Sequence, residues 1–121
     1  MNPRRAAGLI GAGRAALGIA VLLAPEVTSS WLGEHARHPA VRYLTHLVGV
    51  RDLALGALTL AALRDGERAG RMQLVCAAAD TVDVLATLAV RSELPAAGVA
   101  GTVALGGGAA AVGLYLAREL A

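Results

Sequence analysis

The sequence predicts an all-α fold, a four-transmembrane-helix bundle with both termini cytoplasmic, in which residues 1–121 form a single integral membrane domain. Three observations predict it. Four long apolar stretches can be drawn along the chain. Of its 121 residues, 56% are hydrophobic and 17% charged, where a soluble domain would carry about 25% charged residues. The arginines between the stretches fall unevenly on the two sides. Mean hydropathy is +0.60, and almost nothing remains outside the stretches for a separate soluble module.

The first stretch runs from about residue 7 to 24 and is stopped by Pro25, which lacks a backbone N–H and ends a helix. Arg4 and Arg5 precede it as they would a signal peptide. However, Arg14 interrupts the run and no small-residue cleavage pattern follows Pro25, so the segment is expected to stay in the mature protein.

A polar loop follows over residues 26–39. In it Ser30 is expected to cap a short turn through Trp31 and Leu32 that ends at Gly33, with the indole at headgroup level as an interfacial flap. His35 and His38, beside Glu34, have a spacing that metal ligands use. With no HExxH pattern and no further ligand nearby in sequence, they read as a solvated loop, and no metal or other cofactor is expected.

The second stretch spans about residues 40–63, the third 70–90 and the fourth 95–117. Each is close to the ~20 residues that cross a hydrocarbon core. Arg4, Arg5, Arg64, Arg68, Arg71 and Arg118 fall on one side, and mainly Arg37 and Arg91 on the other. Positive loops face the cytoplasm, which sets the orientation and places the chain in the bacterial inner membrane. All eleven basic residues are arginine and the net charge is +2. They lie mostly at helix ends, so a nucleic-acid partner has no support. Cys76 is the single cysteine, which excludes an internal disulfide and a CxxC redox centre.

Against this apolar background, ionisable residues stand at the midpoints of three stretches: Arg14 in the first, Arg51 and Asp52 in the second, Asp80 and Asp83 in the third. Unpaired, they would together cost on the order of 15 kcal/mol at the bilayer centre, so they must face one another. Helical phase says how. On the third helix Gln73, Cys76, Asp80, Asp83 and Thr87 share a stripe about 80° wide. On the second, Thr45, Gly49, Asp52, Gly56 and Thr59 do the same, with Arg42 at the edge and Arg51 projecting about 100° from Asp52, toward a neighbouring helix. On the first, Gly11, Arg14 and Gly18 share a face, where small residues permit close approach.

The fourth stretch carries no charge in its span, but Gly98, Gly101, Gly106, Gly107, Gly108 and Gly113 make it small-sided. Close packing is expected there, against another helix of the chain or a second copy in a homodimer. These glycines do not lie between a strand and a helix, and neither do Gly8, Gly11 and Gly13, so no nucleotide-binding loop follows.

Two arginines against three aspartates leave one extra acid unless Arg42 turns inward, and Asp80 with Asp83 could titrate as a coupled pair. A protonated carboxyl beside an ionised one is what acid–base catalysis uses. The sequence therefore suggests a cofactor-free isomerase, cyclase or epoxide hydrolase acting on a lipophilic small molecule. Asp80, Asp83 and Asp52 would be its acid and base, Arg51 and Arg14 would position them, and His46, about one and a half turns from Asp52, would assist. The alternatives are an accessory or lipid-binding membrane subunit whose charges only lock the bundle, and a dimeric proton-coupled transporter. A catalytic site needs a cavity touching the charges, whereas a lock is closed and fully paired.

One pattern adds to this reading: Arg14 with Gly18 and Pro25, then Trp31, Leu32 and Gly33, then the run Gly49, Val50, Arg51, Asp52, Leu53, Ala54, Leu55 and Gly56, and lastly Asp80 with Asp83. In this the chain resembles small uncharacterised actinobacterial four-helix membrane proteins, similar in architecture to DoxX-like proteins. The resemblance covers nearly the whole chain and implies a four-helix fold. DoxX-like proteins are associated with quinone-linked redox complexes, but nothing in this sequence supplies a redox group.

Overall fold

The computed structural model describes all 121 residues and is helical throughout, without strands. Its α-helices are α1 (Pro3–Leu23), α2 (Ser29–Leu32), α3 (Pro39–Ala62), α4 (Gly66–Ala89) and α5 (Ala96–Leu120), joined in part by tight 3-10 turns. All but α2 are long and apolar enough to cross a membrane. The four predicted spans are therefore present, with ends shifted by a few residues.

Capping chemistry explains the shifts. The side chain of Asn2 accepts from the Arg4 N–H at 2.8 Å, and that of Asp65 accepts from Glu67 and Arg68 at 3.0 and 3.3 Å. These caps satisfy donors that a helix start leaves open, so α1 and α4 begin about one turn earlier than hydropathy alone indicates. Pro3 and Pro39 occupy first-turn positions, where a missing N–H costs nothing. His38 caps α3, its Nδ1 accepting from the Ala40 N–H at 3.2 Å. α5 runs unbroken through Gly106, Gly107 and Gly108.

Packing divides the bundle into two tight pairs. α1 lies along α3 and α4 along α5, while contact between the pairs is far sparser. Within the first pair, glycine lets backbone meet backbone. A Cβ at Gly18 would stand 2.6 Å from the Gly49 carbonyl oxygen, and one at Gly56 would stand 2.5 Å from both the Gly11 carbonyl oxygen and the Ala15 nitrogen. Within the second pair, Gly113 faces Ala77 and Gly70 faces the Ala117 carbonyl. Between the pairs, one end is closed by Ala7, Ala69, Leu116 and Leu120.

The surface inverts the pattern of a soluble protein. Leu9, Leu44, Leu85, Leu105 and Leu114 are more than half exposed, whereas the buried set includes Gln73, Thr59, Asp52 and Asp80. Small and polar residues inside with large apolar ones outside is the arrangement expected in lipid, where apolar surface gains nothing by burial.

At the far end the loop folds over the bundle. Trp31 backbone atoms press against Gly98, closer than any side chain there would permit. Ser30 does not cap the short helix as expected; its hydroxyl donates to the Val27 carbonyl at 3.1 Å, because the helix starts at Ser29 and leaves Ser30 inside the first turn. Gly33 turns the chain at φ 59°, with Pro95 Cγ 3.1 Å from where a Cβ would sit. We predict that Gly33→Ala costs about 1–3 kcal/mol, a strain read directly as a lower melting temperature in detergent. An unchanged melting temperature would show that the flap contributes nothing to stability.

Candidate functional site

The five charges at the midpoints of the membrane-length helices form one alternating chain across the gap between the helix pairs. Arg14, on the Gly11–Gly18 face of α1, donates through Nη2 to Asp80 Oδ2 at 2.5 Å, and more weakly through Nη1 to Asp52 Oδ1 at 3.4 Å. Arg51 leaves α3 sideways and holds Asp83 of α4 by a fork, Nη1 to Oδ1 and Nη2 to Oδ2, each at 2.7 Å. Such bidentate pairs are strong and geometrically specific. The same guanidinium reaches back to Asp52 Oδ1, from Nε at 3.2 Å and from Nη2 at 3.0 Å. Asp52 Oδ1 is thus the shared centre of both arginine clusters.

Burial grades along this chain. The side chains of Arg14, Asp52 and Asp80 are each about nine-tenths buried, whereas Arg51 and Asp83 remain 30% and 35% exposed at the α3–α4 edge. Asp52 Oδ2 and Asp80 Oδ1 accept no hydrogen bond. Since no fully buried side-chain polar atom lacks a partner, these two oxygens border space outside the packed chain. With three carboxylates and two guanidiniums, the set carries one net negative charge when fully ionised. Below it on α4, Cys76 Sγ lies 3.7 Å from the Thr59 hydroxyl, and Gln73 is 2% exposed.

The structure brings together Arg14, Arg51, Asp52, Asp80 and Asp83 as the sequence leads one to expect, and it assigns the pairing that helical phase leaves open. Asp80 and Asp83 are not each other's partners: a guanidinium of a different helix holds each one. The two acids differ by about 60° in phase on α4, enough for one to meet Arg14 of α1 and the other Arg51 of α3. His46 does not join them. It is exposed, with Nδ1 2.7 Å from the Arg42 carbonyl of its own helix, on a face about 100° from the buried stripe. Arg42 does not turn inward either; its guanidinium lies 3.6 Å from Glu26 at the loop end.

Neither principal cavity touches the charge network. One, of about 400 Å³, lies under the flap and is lined by Pro25, Glu26, Ser29, Ala36, Arg37 and Arg42. The other, of about 440 Å³, opens at the α3–α4 turn, where Arg64, Arg68 and Arg71 line it together with Leu58, Ala61 and Met72. Sequence reading treats these arginines as orientation markers alone. The signal for a site is that Arg68 and Arg71, three residues apart, share a helical face beside an apolar hairpin.

Gly101, Gly107 and Gly108 of α5 approach nothing within 4 Å, so the small-residue face of this helix is used only in part within one chain. Close approach is confined to Gly98, Gly106 and Gly113.

No curated protein and no solved structure matches the chain. One family model, described as a domain of unknown function (DUF4267), matches residues 11–116, a span that contains all five charges. That description carries no DoxX-like label and no tie to actinobacteria, so the likeness drawn from the sequence rests on the residues quoted for it. This match over most of the length places the chain in the DUF4267 family.

Proposed function

We propose that this protein is a non-catalytic membrane subunit whose Arg–Asp network clamps two helix pairs together. The observation that carries the reading is completeness of pairing: every one of the five charges has an opposite partner within 3.4 Å, and neither principal cavity reaches them. A buried pair is poor as a source of net stability but costly to break, which suits a device for register between helices that meet through few other contacts. The arginine bias supports cytoplasmic termini and residence in the bacterial inner membrane. Arg4, Gly66 and Leu120 adjoin one another at the end where Arg64 and Arg68 also lie.

A second reading keeps the acid–base enzyme acting on a lipophilic molecule. It is favoured by the odd acid, by the two free carboxylate oxygens of Asp52 and Asp80, and by the partial exposure of Arg51 and Asp83. In it the free oxygens of Asp52 and Asp80 would meet the substrate, the three aspartates serving as acid and base with Arg14 and Arg51 positioning them. His46 has no part in this version, given its position.

The two readings separate on Asp80→Asn and Asp83→Asn, which keep shape and remove acid–base capacity. We predict a loss of about 1–2 kcal/mol for each, from weakened charge-assisted hydrogen bonds, and no turnover by the wild type of lipophilic epoxides, polyenes or quinones followed by mass spectrometry. A product made by the wild type and lost in variants of normal stability would overturn the clamp and establish the enzyme.

A further inference from the structure

The groove at the α3–α4 turn is built of two halves that differ in chemistry. Its polar lining is Arg64, Arg68 and Arg71 with one acid, Asp65, and its apolar lining includes Leu58, Ala61 and Met72. Along α3, Leu58 lies about 6 Å deeper than Ala62, its last residue, and Arg64 follows in the turn. The polar lining has a surplus of positive charge. Arg68 lies 3.4 Å from Asp65 and Arg71 2.9 Å from Glu67, while Arg64 has no carboxylate within ion-pair distance. Arg4 adds a further guanidinium near Gly66 at the same end. A cationic lining beside an apolar one, at the end of membrane-length helices, is complementary to a molecule with an anionic head and a hydrocarbon tail. Basic pockets between spanning helices bind anionic lipid heads on this basis.

We propose that this groove seats one anionic phospholipid, with its phosphate between Arg64 and Arg71 and an acyl chain along Leu58, Ala61 and Met72. The site is separate from the charge network and holds whether that network is a clamp or a catalytic centre. A neutral zwitterionic lipid has the same tail and phosphate, but its head carries a compensating cation that these arginines repel.

Native mass spectrometry of the full chain, released from micelles doped with equal phosphatidylglycerol and phosphatidylcholine, tests the proposal. The wild type is expected to retain phosphatidylglycerol preferentially. Arg64→Gln with Arg71→Gln is expected to lower that retention about 30-fold, the equivalent of ~2 kcal/mol at ~1 kcal/mol per arginine. Arg37→Gln with Arg91→Gln removes the same charge at the opposite end and is expected to change retention less than about twofold. A second variant, Ala61→Trp, fills the apolar part of the groove while leaving every arginine, and is expected to lose the lipid as well. Equal retention of the two lipids by the wild type would overturn the proposal. So would equal loss in both arginine pairs, which would mean diffuse attraction without a seat, and so would full retention by Ala61→Trp.

Discussion

Arg14→Gln is expected to destabilise the fold more than any substitution of an aspartate, by about 3–5 kcal/mol. The guanidinium is the link between the most buried carboxylates, Asp80 at 2.5 Å and Asp52 at 3.4 Å. Removing it leaves three acids facing one remaining arginine inside a span that lipid surrounds. Removing an acid instead leaves two against two. The asymmetry follows from the odd count of the network, and a conventional list of salt bridges does not show it. Thermal melting in detergent of Arg14→Gln, Asp80→Asn and the double variant checks it. The double variant should recover part of the loss, because the acid that Arg14 serves is no longer charged. If Asp80→Asn proves as damaging as Arg14→Gln, or the double variant is merely additive, the network does not act as a coupled unit.

Gly56→Leu is the second large effect, about 3 kcal/mol or more. At Gly56 a Cβ alone would stand 2.5 Å from two backbone atoms of α1, the Gly11 carbonyl oxygen and the Ala15 nitrogen. Neither can rotate aside, so α1 and α3 must separate, and the overpacking cost reaches the upper part of its usual range. Separation also draws Arg14 away from Asp52, so packing and charge fail together. Gly108 supplies the contrast. A Cβ there meets nothing within 4 Å, and Gly108→Ala is expected to fall within about 0.5 kcal/mol of wild type, the range of surface substitutions. A measurable loss at Gly108 would reveal a packing partner outside this chain, as a homodimer through α5 would provide.

These cases show what a single sequence can carry. Thr45, Gly49, Asp52, Gly56 and Thr59, read from helical phase, are the buried face of α3. On α4 the same reasoning finds Gln73, Cys76 and Asp80 buried, but Asp83 and Thr87 only half-buried, because Ala69 and Ala77 pull the contact face toward α5. Phase gives the direction of a side chain on its own helix and says nothing of which helix stands opposite. The pairing of α1 with α3 and of α4 with α5 was therefore not legible, nor was the crossing of Arg14 to Asp80 and Arg51 to Asp83. Long side chains widen the gap further. Arg42 has the phase to approach the interior and the length to reach Glu26, and only the loop's position decides between them. His46 illustrates the opposite failure: proximity to Asp52 along the helix axis counts for little when the two point to different sides. The groove at Arg64 is not legible in the sequence because it belongs to a turn between two elements, where neither periodicity nor composition is informative.

The division into two helix pairs has a consequence for how such a chain is made. The first half to leave the ribosome, through α3, brings Arg14, Arg51 and Asp52 into the membrane with one surplus positive charge. The second half brings Asp80 and Asp83 with two negative ones. Neither half is electrically balanced, and each unpaired charge at mid-depth costs about 2.5–3.5 kcal/mol on insertion scales. The later hairpin is therefore expected to settle by docking on an earlier one that is already waiting, and a chain interrupted between them would be left with charges exposed to lipid. Completion of synthesis and stable residence in the bilayer would then be one event.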